Sequence, residues 1–225
     1  MNSSELFEHI MVDNSESRAL FLSDFRDEVV ELLDIFSQAF NLLEESPCNN
    51  DPSNRACTVS GYIYLAIESA VTATQLLSLG HVAPAGNSMR ISYESLCFSA
   101  LLKRKDKLKV AKGKHQFNFY EEYMKKSAHT RADKVVGLVV ENKDLLGLNS
   151  EGVDFLKGAK NFYNGYSHAS YLLLHSKIKL STKQLYIAGN YDNERKELFK
   201  QQLEFIKRYS SNLDDWIRAV AYNAT

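Results

Sequence analysis

The chain has 225 residues, 44% of them hydrophobic and 24% charged, a balance that excludes disordered, collagenous and fibrous classes. Ten Gly and three Pro are too few for a turn-rich sandwich or barrel and favour long uninterrupted elements. The formal net charge of −1 hides an asymmetry: residues 1–54 carry twelve acids against only Arg18 and Arg26.

Cys48, Cys57 and Cys97 are an odd, widely spaced set, which suits a reducing compartment better than a disulfide framework. The first thirteen residues are acidic where a secretory leader needs basic charge. The longest apolar stretch, 62–79, is interrupted by Glu68, Thr72, Thr74 and Gln75, too polar to span a bilayer. The expectation is a cytoplasmic protein with no membrane partner and no cofactor.

A first helix is predicted over 17–45, with Phe21, Phe25, Val29, Leu32, Phe36, Phe40 and Leu43 recurring at steps of three and four and acids on the other face. Residues 48–54 read as a loop by composition. A second helix over 59–79 carries only small residues at 69–74, which lets a neighbour approach closely, and Gly80 stands where a left-handed cap would end it. Pro84 marks the first turn of a third helix over 85–104, apolar around most of its circumference and therefore buried.

After a basic segment, 117–126 and 131–141 read as shorter helices, and Ser150 as the cap of a helix reaching 170. Residues 171–191 alternate partially around Ser181-Thr182-Lys183 and form the candidate β-hairpin. The last helix, 193–222, repeats Phe199, Leu203, Ile206, Tyr209, Leu213, Trp216 and Val220 at close to 3.5 residues per step. That period suits packing against a long partner, either the first helix or a second chain. The expected architecture is a single all-α domain: a bundle of six or seven helices with a small β-hairpin inserted before the C-terminal helix.

Three groups of residues bear on function. Lys103, Arg104, Lys105, Lys107, Lys109, Lys112 and Lys114 crowd seven bases into twelve residues, opposed only by Asp106. Such a run could follow a phosphate backbone. It could equally be a helix C-terminus that attracts cations and then runs into a solvated loop, or a surface for the acidic first segment. Arg90 and Glu94, four apart on the stripe of Cys97 and Leu101, must pair if buried, or Arg90 must reach a cleft.

On the sixth helix Lys157, Asn161, Asn164 and His168 share one face opposite Ala159, Tyr163 and Tyr166, with Ser167 alongside and Gly158 and Gly165 allowing close approach. This face could bind phosphate or move a proton, since imidazole titrates near neutrality; a solvated polar face is the alternative. No third ligand joins His129 and Asp133, or His168 and His175, so no metal site is expected. Phosphate-cradling Gly-rich, GxSxG and HExxH motifs are absent from the sequence.

Two segments, Asn87-Ser88-Met89-Arg90-Ile91-Ser92-Tyr93-Glu94 and Phe162-Tyr163-Asn164-Gly165-Tyr166-Ser167-His168-Ala169-Ser170, resemble in order and character the bacterial helical proteins related to HEPN domains. The resemblance extends from about Gly61 to the C-terminus. It implies a helical bundle, often homodimeric, found among toxin, antitoxin and phage-defence proteins. Active HEPN ribonucleases place an Arg four to six residues before a His. Here the position six before His168 is Phe162 and the nearest preceding base is Lys160, so Arg90 would supply the cation from another helix.

The leading expectation is therefore a non-catalytic helical binding protein of bacterial defence or regulation, acting as a homodimer. The alternative is a metal-independent ribonuclease with His168 as general acid/base, Arg90 stabilising phosphorane charge, Glu94 beside it, and the Lys103 to Lys114 run holding RNA. A further reading makes the acidic first 45 residues the inhibitor of a basic protein partner.

Overall fold

The computed structural model describes residues 2–11, 13–110, 115–167, 170–179, 181–183, 185 and 189–222, the side chains of His9, Ile10 and Ser167 excepted. In chain order they form α1 (Ser3–Ile10), α2 (Ser15–Glu44), α3 (Pro47–Asn50), α4 (Asn54–Ser78) and α5 (Val82–Lys103). Strands β1 (Lys107–Val110) and β2 (His115–Asn118) follow, then α6 (Phe119–Met124), α7 (Ala132–Glu141), α8 (Lys143–Leu146) and α9 (Ser150–Ser167). The chain closes with α10 (Tyr171–His175), α11 (Lys196–Ser210) and α12 (Leu213–Ile217), which runs on into a π-helical turn, Arg218–Tyr222. The architecture is an all-α bundle carrying a small antiparallel β-hairpin.

The apolar stripe of α2 does what its spacing dictates: Phe21, Phe25, Leu32, Phe36, Ala39 and Leu43 are all buried. The helix kinks at Phe25, whose φ/ψ of −133° and 22° is non-helical. Beside that kink Asp24 accepts hydrogen bonds from the Tyr191 hydroxyl and from Lys196 Nζ, each at 2.6 Å. Lys207 likewise pairs with Glu31 at 2.6 Å. Part of the acidic face of α2 thus meets bases of α11, not the basic run after α5.

Helix α4 begins five residues earlier than its periodicity predicts, because Ser53 accepts the Ala56 N–H and caps it. It ends as predicted. Gly80 adopts φ +83°, its N–H bonds Leu77 O at 2.8 Å and the His81 N–H reaches back to Leu76 O at 2.8 Å. This is a Schellman closure, with the backbone of Asn190 packed so near Gly80 that a Cβ would collide with it. The turn sends α5 back antiparallel along α4. The small residues Ser69, Ala70, Ala73 and Thr74 are buried, and Ser92 Oγ of α5 donates to Ala66 O of α4 at 2.6 Å.

Pro84 falls in the first turn of α5, and the helix is buried almost throughout, between α4 on one side and α7 and α9 on the other. Gly86 allows the approach to α9: a Cβ there would lie 2.7 Å from Tyr166 Cβ. Phe155 and Phe162 of α9 stack on Phe205 of α11 and close that side of the core.

Four expectations change. The loop at 48–54 is partly helical, since Ser46 caps α3 by accepting the Asn49 N–H. Asn149, not Ser150, caps α9, because its Oδ1 accepts the Gly152 N–H at 2.7 Å. The terminal helix breaks at Ser211–Asn212, where the Asn212 amide donates to Arg208 O. Both halves keep their apolar residues on one stripe, and Phe199, Leu203, Ile206, Leu213 and Ile217 are buried within this chain, with α11 and α12 packed on α2. The seam that would have suited a second chain is thereby filled.

The fourth change concerns the hairpin. The ladder lies at 107–118, with Lys107 opposite Asn118, Leu108 opposite Phe117 and Lys109 opposite Gln116. In the predicted segment 171–191, Tyr171–His175 is helical because Ser170 caps it, while Ile178 and Leu185 form one antiparallel bridge around the predicted turn. Residues 180, 184 and 186–188 lie outside the described residues.

Candidate functional site

The Arg90–Glu94 pair forms as the i,i+4 spacing requires: Arg90 Nε donates to Glu94 Oε1 at 2.8 Å, with the side chains 25% and 13% exposed. Glu94 and, further off, Asp133 at the start of α7 favour the charged guanidinium against its burial. The neighbouring Tyr93 stacks on Tyr163 of α9 at 6.2 Å between ring centroids, and both rings are buried. Burial pushes both phenols above their ordinary range. The 2.8 Å bond of this pair lies within α5, with Asp133 of α7 near enough to add to the favourable charge.

The predicted face of α9 divides as the wheel requires. Ala159, Tyr163 and Tyr166 are buried, Lys157 and Asn161 are exposed, and Asn164 is half-buried. Lys157 lies 3.7 Å from Asp154, one turn back. Gly158 faces open space, whereas a Cβ at Gly165 would lie 2.8 Å from Leu172 Cδ1, so the close approach expected of the two glycines is made at Gly165. The Ser167 side chain and His168 lie outside the described residues. Among the described residues the structure therefore brings together Arg90 and Glu94 and leaves Asn161 on the outward face of α9.

The basic run is partitioned by its secondary structure. Arg104 turns inward and donates from Nη2 to Leu145 O, fastening the end of α8, so it is a structural cation rather than part of a binding surface. In β1, residues alternate across the strand. Leu108 is fully buried, and Lys107 and Lys109 on either side of it are exposed. Their cross-strand neighbours are Asn118 and Gln116, so the outer hairpin face is polar and cationic. Asn118 Nδ2 donates to Lys105 O at 2.8 Å and ties the segment entering β1 to the end of β2. Lys112 and Lys114 lie outside the described residues.

Lys103 and Lys105 take another direction. With Arg55 they line a groove beside the N-terminus of α4, where Asp51 also sits. The Ser53 backbone N–H and hydroxyl, with Lys103 and Lys105 behind them, hold the Asp51 carboxyl below the usual carboxylate range. Arg55 lies over the Tyr120 ring at 4.4 Å. Sequence reasoning missed Arg55, which is 48 positions from Lys103. One signal was present: a cation in the first turn of a helix stands against the helix dipole and asks for an anion nearby.

Cys48 and Cys97 are buried thiols and Cys57 an exposed one, all free. Burial pushes the Cys48 and Cys97 thiols up, away from the reactive thiolate. Among the described residues no three His, Cys, Asp or Glu gather as a metal site, and no helix is long and apolar enough to cross a membrane. No protein-family model, curated protein or solved structure matches the chain.

Proposed function

We propose that this chain is a non-catalytic helical binding protein that engages single-stranded RNA through the cationic face of its β-hairpin. The observation that supports this reading is the alternation in β1. Buried Leu108 anchors the strand, and Lys107 and Lys109 project their charges to solvent on either side of it. A rigid strand presents its alternate side chains about 6.6 Å apart along the strand. Charges in such a row meet a polyanion's phosphates without selecting among bases. The Arg90–Glu94 pair supports the non-catalytic half of the reading, because a guanidinium bound to a carboxylate at 2.8 Å serves packing before it serves phosphorane charge.

The test is fluorescence anisotropy of an end-labelled single-stranded RNA with the full chain in EDTA, followed by a gel of the same sample. The expected result is a saturable, salt-sensitive anisotropy rise with full-length RNA recovered. Lys107→Gln combined with Lys109→Gln weakens binding to all sequences alike. RNA shortened in EDTA, or no binding at low salt, would overturn the reading.

A further inference from the structure

The groove between α3, the N-terminus of α4 and the end of α5 has a volume of about 660 Å³, within the ~300–1,000 Å³ typical of small-molecule sites. Its chemistry is two-sided. One wall carries Arg55, Lys103 and Lys105, and among the described residues Asp51 is the sole lining carboxylate. That carboxylate accepts the Ser53 N–H at 2.8 Å in the turn before α4. The floor is the half-buried Tyr222 of the π-helical turn; Val59 and Ala221 border it but are buried. The Tyr222 hydroxyl donates to Leu42 O at 2.8 Å, which fixes its ring against α2.

Three cations against one carboxylate favour an anion, and the amide end of α4 adds to the same potential. An inorganic anion alone would leave the Tyr222 ring uncovered. A ligand that carries a phosphate and a flat, weakly polar ring uses both walls. We infer that this groove binds a nucleoside phosphate, its phosphate held by Arg55, Lys103 and Lys105 and its base laid on Tyr222. Lys105 stands between the groove and the hairpin lysines in sequence, so a strand lying on the hairpin can deliver its terminal nucleotide here. That delivery rests on the RNA-binding reading above; the groove chemistry does not. A free mononucleotide and a phosphorylated strand end share the recognised group.

The experiment compares three labelled RNAs of one sequence, unphosphorylated, 5′-phosphorylated and 3′-phosphorylated, with a nucleoside monophosphate titrated separately by calorimetry. The full-length chain is used throughout, with Lys103→Gln/Lys105→Gln and Lys107→Gln/Lys109→Gln as variants whose thermal unfolding is checked first. The expected result is a preference of about tenfold for one phosphorylated end, as charge-assisted contacts supply. The groove variant abolishes the preference, and the hairpin variant weakens all three RNAs while preserving it. Monophosphate binding lost only in the groove variant assigns the site to free nucleotide and equally supports it. If neither a phosphate preference nor monophosphate binding is found, the groove inference falls. If the unphosphorylated RNA still binds in that case, the hairpin reading survives it.

Discussion

Asn142 and Lys109 are joined by two hydrogen bonds: the Lys109 N–H donates to Asn142 Oδ1 at 2.8 Å, and Asn142 Nδ2 donates to the Lys109 carbonyl at 2.9 Å. The same Nδ2 also donates to Leu138 O within α7. A single buried amide therefore acts as a further strand for β1 and fixes the two-stranded ladder to the helical body. Isolated hairpins of this size are marginal in water, so this attachment is what lets Lys107 and Lys109 face solvent in a defined row.

Asn142→Ala leaves the Lys109 N–H and carbonyl without that partner. The expected loss is about 1–3 kcal/mol in urea unfolding, together with weaker RNA binding. Wild-type RNA affinity in this variant would show that the hairpin does not need its tether.

Arg90→Ala separates packing from chemistry. It strands Glu94 in a mostly buried position and should lower stability by about 1–3 kcal/mol. RNA affinity, measured below the unfolding temperature, should stay at the wild-type level. A large loss of binding with unchanged stability would move Arg90 from the core into the binding surface.

The hydroxyls of Tyr93 and Tyr163 are buried and have no hydrogen-bond partner among the described residues. Burying an unpaired hydroxyl is unfavourable, so Tyr163→Phe should raise the unfolding free energy by about 1 kcal/mol while keeping the ring stack. Tyr93→Phe should act in the same sense, and the two will not add fully because the rings touch. A destabilised Tyr163→Phe would mean that the hydroxyl is satisfied in solution.

His81 stands at the N-cap position of α5 without a side-chain capping bond, its Nε2 3.3 Å from Asn14 Nδ2. Partial burial, with Lys177 nearby, lowers its pKa below the ordinary 6.5. The unfolded chain then holds more protons than the folded one as pH falls below 6.5. Stability from this group is therefore full above 6.5 and is lost on acidification through the lowered folded value. His81→Gln should flatten that part of the pH profile of thermal unfolding, and an unaltered profile would place the titration elsewhere.

Much of the helical core was legible because it depends on local spacing. The stripe of α2, the closure at Gly80, the first turn at Pro84 and the two faces of α9 follow from residues within a few positions of one another. The hairpin at 107–118 was missed because β1 buries only Leu108 fully, and a Lys-Leu-Lys-Val segment inside a charge run reads as a solvated loop. Its stability comes from Asn142, more than thirty residues on. The break at Ser211–Asn212 was hidden because both helices continue one apolar stripe across it. For the candidate surface, charge density marked Lys107 and Lys109 correctly as solvent-facing. Which run members turn elsewhere depended on Leu145, Arg55 and Asp51, all distant in sequence and brought near only by folding.

The most direct test of the central claim is the salt dependence of RNA affinity in the wild type and in Lys107→Gln/Lys109→Gln. The account predicts a linear fall of log affinity with log salt, made shallower in the variant by about 1.4 through the loss of two phosphate contacts. An identical slope in both proteins would contradict it.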